Sequence, residues 1–196
     1  MKAAREQWLD RLTDRCDGDF SRVIFLDESG ALTNLVRTHG RCDQGVRCVS
    51  SAPAGHWKVM TAVAAIRLDG LTASATVDCP MNGEAFGVYV ERVLLPTLRV
   101  GDVVVMDNLS AHKHPQVKRL IESAGASVLY LPPYSPDFNP IEMIWSKVKR
   151  LLRSIAARTI DGLHEAFGQA FAAVTQSDIH GCFRHCGYAT GEGAPL

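Results

Sequence analysis

The sequence predicts an α/β domain in which a mixed β-sheet is covered by α-helices. Three observations carry this reading. Short apolar runs, rich in β-branched residues, recur at Val23–Leu26, Val103–Met106 and Ser127–Leu131, as expected of buried strands. Two further strand candidates, Trp57–Ile66 and Leu71–Val77, sit side by side and join through the turn signal Leu68-Asp69-Gly70. The later strands alternate with helical periodicities. An opening set of strands followed by alternating helix and strand suits a mixed sheet with helices packed on it.

Taken in order, residues 2–15 have helix-forming composition, with Trp8, Leu9 and Leu12 on one side. Val23–Leu26 reads as a strand that ends in a turn at Asp27-Glu28-Ser29-Gly30, a sequence with good turn chemistry. Residues 82–98 read as a helix opening at Asn82, because Phe86, Tyr89, Val90, Val93 and Leu94 recur at helical spacing. Val103–Met106 is a second buried strand, and it too leads into an acid, Asp107. A helix over about 115–124, stopped near Gly125, leads to the strand at Ser127–Leu131. The clearest helix follows, with Ile141, Ile144, Trp145, Val148, Leu151, Leu152 and Ile155 on one stripe. Asn139 as N-cap and Pro140 at the first position would put Glu142 third, where it could close a capping box.

The chain has 196 residues, enough for one domain with a substantial core, and no repeat or Gly/Ser linker divides it. We expect a lead-in helix or linker over 1–20, the main domain over 21–190 and a tail over 191–196. Composition is ordinary, at 46% hydrophobic and 21% charged. No apolar stretch approaches the ~20 residues that span a bilayer, and the first residues lack a signal-peptide core, so a cytoplasmic location and no membrane partner are expected. The six scattered cysteines suit free thiols in a reducing compartment. The cluster His180-x-Cys182-x-x-His185-Cys186 matches none of the usual paired zinc spacings, so zinc is not expected there. Basic and acidic residues, 21 each, cancel, which argues against a dedicated DNA-binding module. Local charge is different. Residues 143–160 hold Lys147, Lys149, Arg150, Arg153 and Arg158 and no acid, and a looser basic stretch holds Arg37, Arg41 and Arg47.

Three acids stand at informative places. Asp27 and Asp107 follow strongly apolar strands, where side chains emerge at the sheet's carboxyl edge, the usual place for sites in open α/β sheets. Glu142 lies in the first turn of the long helix, with thirty-four residues separating it from Asp107. Carboxylates brought together repel unless a cation lies between them, and hard oxygen donors favour Mg²⁺ or Mn²⁺. Two such ions can activate an attacking oxygen and stabilise a leaving one in phosphodiester chemistry. Singly, each acid also has a structural explanation, as turn former or cap. Their joint pattern favours chemistry.

Three segments carry a resemblance. They are Val23-Ile24-Phe25-Leu26-Asp27-Glu28-Ser29-Gly30, then Val104-Val105-Met106-Asp107-Asn108-Leu109-Ser110-Ala111-His112-Lys113, then the run from Leu131 to Trp145 that contains Pro-Tyr-Ser-Pro-Asp-Phe-Asn-Pro-Ile-Glu. Together they resemble the three catalytic blocks of the mariner superfamily of cut-and-paste transposases, and most of all its bacterial insertion-sequence branch. The similarity runs from about Arg22 to Tyr188 and is loose over 31–55. It implies a ribonuclease-H-like fold, with Asp27, Asp107 and Glu142 as catalytic residues and ligands of two Mg²⁺ (or Mn²⁺). It also implies hydrolysis at transposon ends, attack of the freed 3′-hydroxyl on target DNA, and a homodimer when two ends are synapsed. Location on the bacterial nucleoid when bound to DNA follows from the same resemblance.

Several neighbours are candidates for contact with substrate. Ser146, Lys149 and Arg153 follow Glu142 at i+4, i+7 and i+11, so they lie on nearly one line of the helix, polar and then basic. That line suits a DNA backbone entering the site; a solvated helix face is the plain alternative. Asn108 and His112, close to Asp107, are candidates for touching substrate or orienting a metal ligand. Tyr134 and Trp145 have rings that can stack on a flipped base, though Trp145 lies on the apolar stripe and is expected in the core. Glu28 should point away from Asp27 if the strand continues, and is not counted as a ligand.

Mariner-like transposases carry a helix-turn-helix region ahead of the catalytic domain, whereas about twenty residues precede the first strand here. The expectation is a separately encoded recognition part, or a truncated copy, with weak and largely non-specific DNA binding by this chain. Two rival functions use similar residues. A phosphoacceptor signalling domain also groups acids around Mg²⁺, but it needs them closer than the eighty positions from Asp27 to Asp107 and gives Glu142 no role. An inactive or domesticated DNA-associated copy is the other, and the presence of all three acids favours activity over it.

Overall fold

The computed structural model describes residues 2–188. Five strands, β1 (Val23–Leu32), β2 (Val59–Arg67), β3 (Gly70–Val77), β4 (Val103–Met106) and β5 (Ser127–Tyr130), form one sheet in the order β3-β2-β1-β4-β5. β2 runs antiparallel to β1 and β3, while β1, β4 and β5 are parallel. The helices are α1 (Lys2–Arg15), α2 (Gly83–Tyr89), α3 (Pro115–Ser123), α4 (Ile141–Ile155), α5 (Ile160–Ala172) and α6 (Gln176–His185). This is the mixed, helix-covered sheet that the sequence predicts.

The alternation of β1 splits the interior in two. Val23 and Phe25 join a core with Trp8, Leu12, Ile144, Trp145, Phe167 and Phe183, from α1, α4, α5 and α6. Ile24 and Leu26 join a second core with Phe86, Val90, Val117 and Ile121, on the face of α2 and α3. Both faces of the central strand are therefore dry, which is why its sequence is a continuous apolar run instead of an alternating one.

Three expectations need correction. First, β1 does not turn at Asp27; it continues to Leu32. Glu28 pairs with Val63 and Leu32 with Val59, so the β2 ladder satisfies backbone groups that a turn would otherwise have to satisfy. Second, the helix expected over 82–98 does start at Asn82, whose side chain accepts from the Ala85 N–H. It then loosens into a π turn at Val90–Leu94 and a 3₁₀ turn at Leu95–Thr97. Pro96 has no N–H and cannot continue the regular ladder. Third, the capping box on α4 is absent. The N-cap is Pro140, no side chain caps the helix, and Asn139 Oδ1 is buried without a partner. Asn139 contributes its backbone carbonyl instead, 3.1 Å from the Glu142 N–H.

Helix α1 closes the free edge of the sheet. β5 is an edge strand, and its outward carbonyls would be open to pairing with another chain. Trp8 Nε1 donates to the Tyr130 carbonyl (2.8 Å) and an Arg15 guanidinium N–H donates to the Val128 carbonyl (2.6 Å). Trp8 also stacks on Phe138 (5.4 Å between centroids), and Arg5 lies over the same ring and pairs with Asp137. From the other side the Tyr188 hydroxyl donates to the Phe138 carbonyl. The segment leading into α4 is thus clamped by both ends of the described chain. Residues 191–196 lie outside the described residues.

Candidate active site

β1 pairs with β4 only from Val23 to Phe25; beyond that point the parallel strands part and leave a cleft at their carboxyl ends. Asp27 is two residues past Phe25 and so lies on the α4 face of the sheet, with 8% of its surface exposed. Asp107 follows β4 directly, and Glu142 rises from the first turn of α4. All three line one cavity, together with Asn108, Tyr134 and Asn139. The sequence-predicted acids, far apart in the chain, are therefore brought to one place.

Their electrostatics differ. Burial, reinforced by the negative charges of Glu142, Asp107 and Glu28, pushes the Asp27 carboxyl up to about 7, against the pull of the Glu28 N–H on its Oδ1 (2.8 Å). Burial also opposes the charge of Asp107, but His112, the Leu109 N–H and Lys113 outweigh it and hold its pKa below the usual range. No ion pair to a Lys or Arg neutralises Asp27, Asp107 or Glu142 among the described residues. The hydrogen bonds of both aspartates fall on Oδ1, from Glu28 N to Asp27 and from Leu109 N to Asp107 (2.9 Å). Oxygen donors crowded together with excess negative charge are a donor set suited to a hard divalent cation. As the side chains stand, no three His, Cys, Asp or Glu residues among the described ones close around a single point.

The structure adds a residue pair that sequence reasoning missed. His112 is fully buried between two carboxylates: its Nδ1 lies 2.6 Å from Asp107 Oδ1 and its Nε2 lies 3.1 Å from Glu28 Oε2. Neither contact has the alignment of a good hydrogen bond, so they are better described as close ion pairs. Burial works against the imidazolium, yet the two carboxylates more than reverse that and lift His112 to about 9. Phe86 packs on the ring, with centroids 4.5 Å apart. Glu28 does face away from Asp27, as alternation requires, and the α2–α3 face is where it meets His112. The signal was present in the sequence as Asp27-Glu28 and Asp107-x₄-His112, but pairing them needs the β1–β4 register.

The other candidates divide. Asn108 lines the cavity, and its amide donates to the Leu131 carbonyl, tying the end of β4 to the end of β5. Tyr134 also lines it, with 95% of its surface exposed and a left-handed backbone (φ 55°). Trp145 is in the core against Phe171, as the apolar stripe requires. Lys149 is half-buried on α4 outside the acidic cavity, and Arg153, one turn farther, lines a separate notch. In the zinc-like cluster, Cys186 is buried in the core and a ring nitrogen of His180 lies 2.9 Å from the Leu68 carbonyl. No described helix is long and apolar enough to cross a membrane.

Comparison with known proteins gives a consistent picture. Residues 22–164 match the family described as DDE superfamily endonuclease. The transposable element Tc1 transposase of Caenorhabditis elegans is 32% identical over 80 residues, 41% of this chain and 29% of that protein. Among solved structures, the Mos1 transposase paired-end complex with left transposon end aligns with a TM-score of 0.70 at 17% identity, covering 93% of this chain and 57% of the Mos1 chain. The catalytic domain of Mos1 mariner transposase aligns at 0.66 and 15%, covering 94% and 89%. Mos1 paired-end complexes are also described with Mg and with Mn. At these identities the likeness speaks for the fold, which is ribonuclease-H-like. The chain spans less than two thirds of the length of the Tc1 and paired-end Mos1 chains that it matches.

Proposed function

The chain belongs to the DDE superfamily endonucleases, and from that premise we propose that it is the catalytic domain of a cut-and-paste DNA transposase, with residues 21–190 as the catalytic unit. The observation that carries the proposal is the convergence of Asp27, Asp107 and Glu142 on one cavity at the carboxyl end of the parallel strands. Assignment to the bacterial insertion-sequence branch rests on the three sequence blocks that contain Asp27, Asp107 and Glu142. The substrates are transposon-end and target DNA. The acting species is a homodimer holding two ends, with end recognition by a helix-turn-helix part.

Asp27, Asp107 and Glu142 would hold two Mg²⁺ or Mn²⁺, which supply charge neutralisation for the attacking and leaving oxygens of a phosphodiester displacement. The chain's own groups do the rest. His112 and the Leu109 N–H favour the ionised form of the half-buried Asp107, so this donor keeps its charge to lower pH than an ordinary aspartate. Asp27 is destabilised as an isolated anion and gains most from a cation beside it. Glu142, exposed and uncapped, is free to approach the scissile phosphate with the DNA. Asn108 and Tyr134 form the wall against which the strand lies, and Lys149 and Arg153 face its phosphates along α4.

The test is an assay on end-labelled duplex with Mg²⁺, Mn²⁺ or EDTA, scored for nicks bearing a 3′-hydroxyl and for joined strands. Metal-dependent nicks that ligate to target DNA support the proposal. Cleavage that persists in EDTA, or nicks ending in 3′-phosphate, would overturn it.

A further inference from the structure

Beyond the acidic cavity, one notch gathers positive charge from two distant parts of the chain. Arg37, Thr38 and His39, from the long segment between β1 and β2, face Arg150, Arg153 and Ser154 at the last turns of α4. The segment is fastened there. Arg37 Nη2 donates to Ser154 Oγ (2.9 Å), and Arg158 Nη1 donates to the carbonyls of Thr33 (3.1 Å) and Leu35 (2.7 Å). No acidic residue lines the notch, and among the described residues Arg37, Arg150 and Arg153 have no ion-pair partner. Three guanidiniums held around a concavity repel one another, and the planar fork of each is shaped to grip a phosphate.

We propose that this notch binds a backbone phosphate of the DNA that occupies the acidic cavity; the inference rests on the reading of that cavity as a DNA-processing site. Arg153 lies on the same line of α4 as Glu142, eleven residues on, about 16 Å at 1.5 Å per residue. With the duplex axis running along α4, at one phosphate of a strand per ~3.4 Å of that axis, the gripped phosphate is about five nucleotides from the scissile one. The notch sets how far DNA extends past the cut and in which direction it leaves. Lys149, between the two sites on the same line, bridges them.

The experiment measures binding of a short labelled duplex to the full chain in EDTA, where no cutting occurs, across a salt series. The proteins compared are wild type, Arg37→Ala, Arg150→Ala, Arg153→Ala and, as a charge control on the opposite face, Arg119→Ala. Each notch variant should lower the slope of log affinity against log salt by about one, while Arg119→Ala leaves it unchanged. A single methylphosphonate about five nucleotides from the cut should weaken binding to wild type and not to Arg150→Ala. Wild-type binding with unchanged slopes in all three notch variants overturns the notch and leaves the acidic site standing. An equal drop in Arg119→Ala also overturns it, because the effect is then general charge. Absence of any DNA binding by the wild type overturns both. Unfolding midpoints matching wild type show that a lost slope is not lost structure.

Discussion

His112 stands 2.6 Å from Asp107 in the interior of the protein, with Glu28 on its other ring nitrogen. One charged imidazole thus holds a strand-end aspartate in place by leaning on a glutamate from the neighbouring strand. Its removal leaves two carboxylates around a hole. His112→Ala should destabilise the metal-free protein by about 2–3 kcal/mol, from the cavity and the unpaired charges together. Adding Glu28→Gln to that variant should recover part of the loss, because it removes one of the stranded charges. Urea unfolding of the single and double variants reads both effects; a His112→Ala midpoint equal to wild type would refute the bridge.

The Arg67–Asp102 pair is the most deeply buried charge pair in the described chain, at 2.7 Å and 1% and 2% exposure. Asp102 also accepts from the Arg99 N–H, and Arg67 donates to the Thr97 carbonyl, so the pair fixes the turn that feeds β4 and hence Asp107. Arg67→Ala should cost about 3–5 kcal/mol, because it strands Asp102 in the core. Arg99→Ala, whose pair with Asp69 is exposed, should cost under about 1 kcal/mol. Similar losses in the two variants, measured by denaturant unfolding, would contradict this ranking.

Trp8 does two things at once, filling the core and capping the edge of β5 through the Tyr130 carbonyl. Trp8→Phe keeps most of the packing and loses the bond, for about 1 kcal/mol; Trp8→Ala loses both, for about 3–5 kcal/mol. The alanine variant should also self-associate as the edge opens. Light scattering and unfolding on the same samples test this, and a monomeric, fully stable Trp8→Ala protein would rule it out.

Asp178 supplies a pH dependence away from the acidic cavity. Lys147 and Thr175 hydrogen-bond to it, the latter in a capping box on α6, and depress its carboxyl to about 2. A depressed folded-state pKa means that the contribution is fully present above the unfolded value, about 4, and is lost as pH falls toward 2. Asp178→Asn should therefore be less stable than wild type at pH 6, and the gap should close between about pH 4 and 2. A gap of constant size across that range would show that the pair is not responsible.

The fold and the three acids were legible in the sequence because each is written locally. A run such as Val103–Met106 announces a doubly covered strand, and the apolar stripe of α4 announces its buried face. The true length of β1 was not legible, since Asp-Glu-Ser-Gly has turn chemistry and only pairing with Val59–Val63 overrides it. Pairing across strands also hid the Glu28–His112 contact and the edge-capping role of α1. The expected capping box on Glu142 failed because Pro140 takes the cap position, which leaves that carboxylate uncommitted.

The central claim is that Asp27, Asp107 and Glu142 act as one unit in cutting DNA. The most direct measurement is the metal-dependent nicking rate of Asp27→Ala, Asp107→Ala and Glu142→Ala beside the triple variant, with unfolding midpoints recorded for each. Groups that act together are non-additive, so each single variant should lose on the order of 10³-fold or more and the triple variant little further. Glu142→Ala, at an exposed and uncapped position, should lose that activity with its stability within about 0.5 kcal/mol of wild type. Near-wild-type nicking by any one of the three variants would contradict the claim.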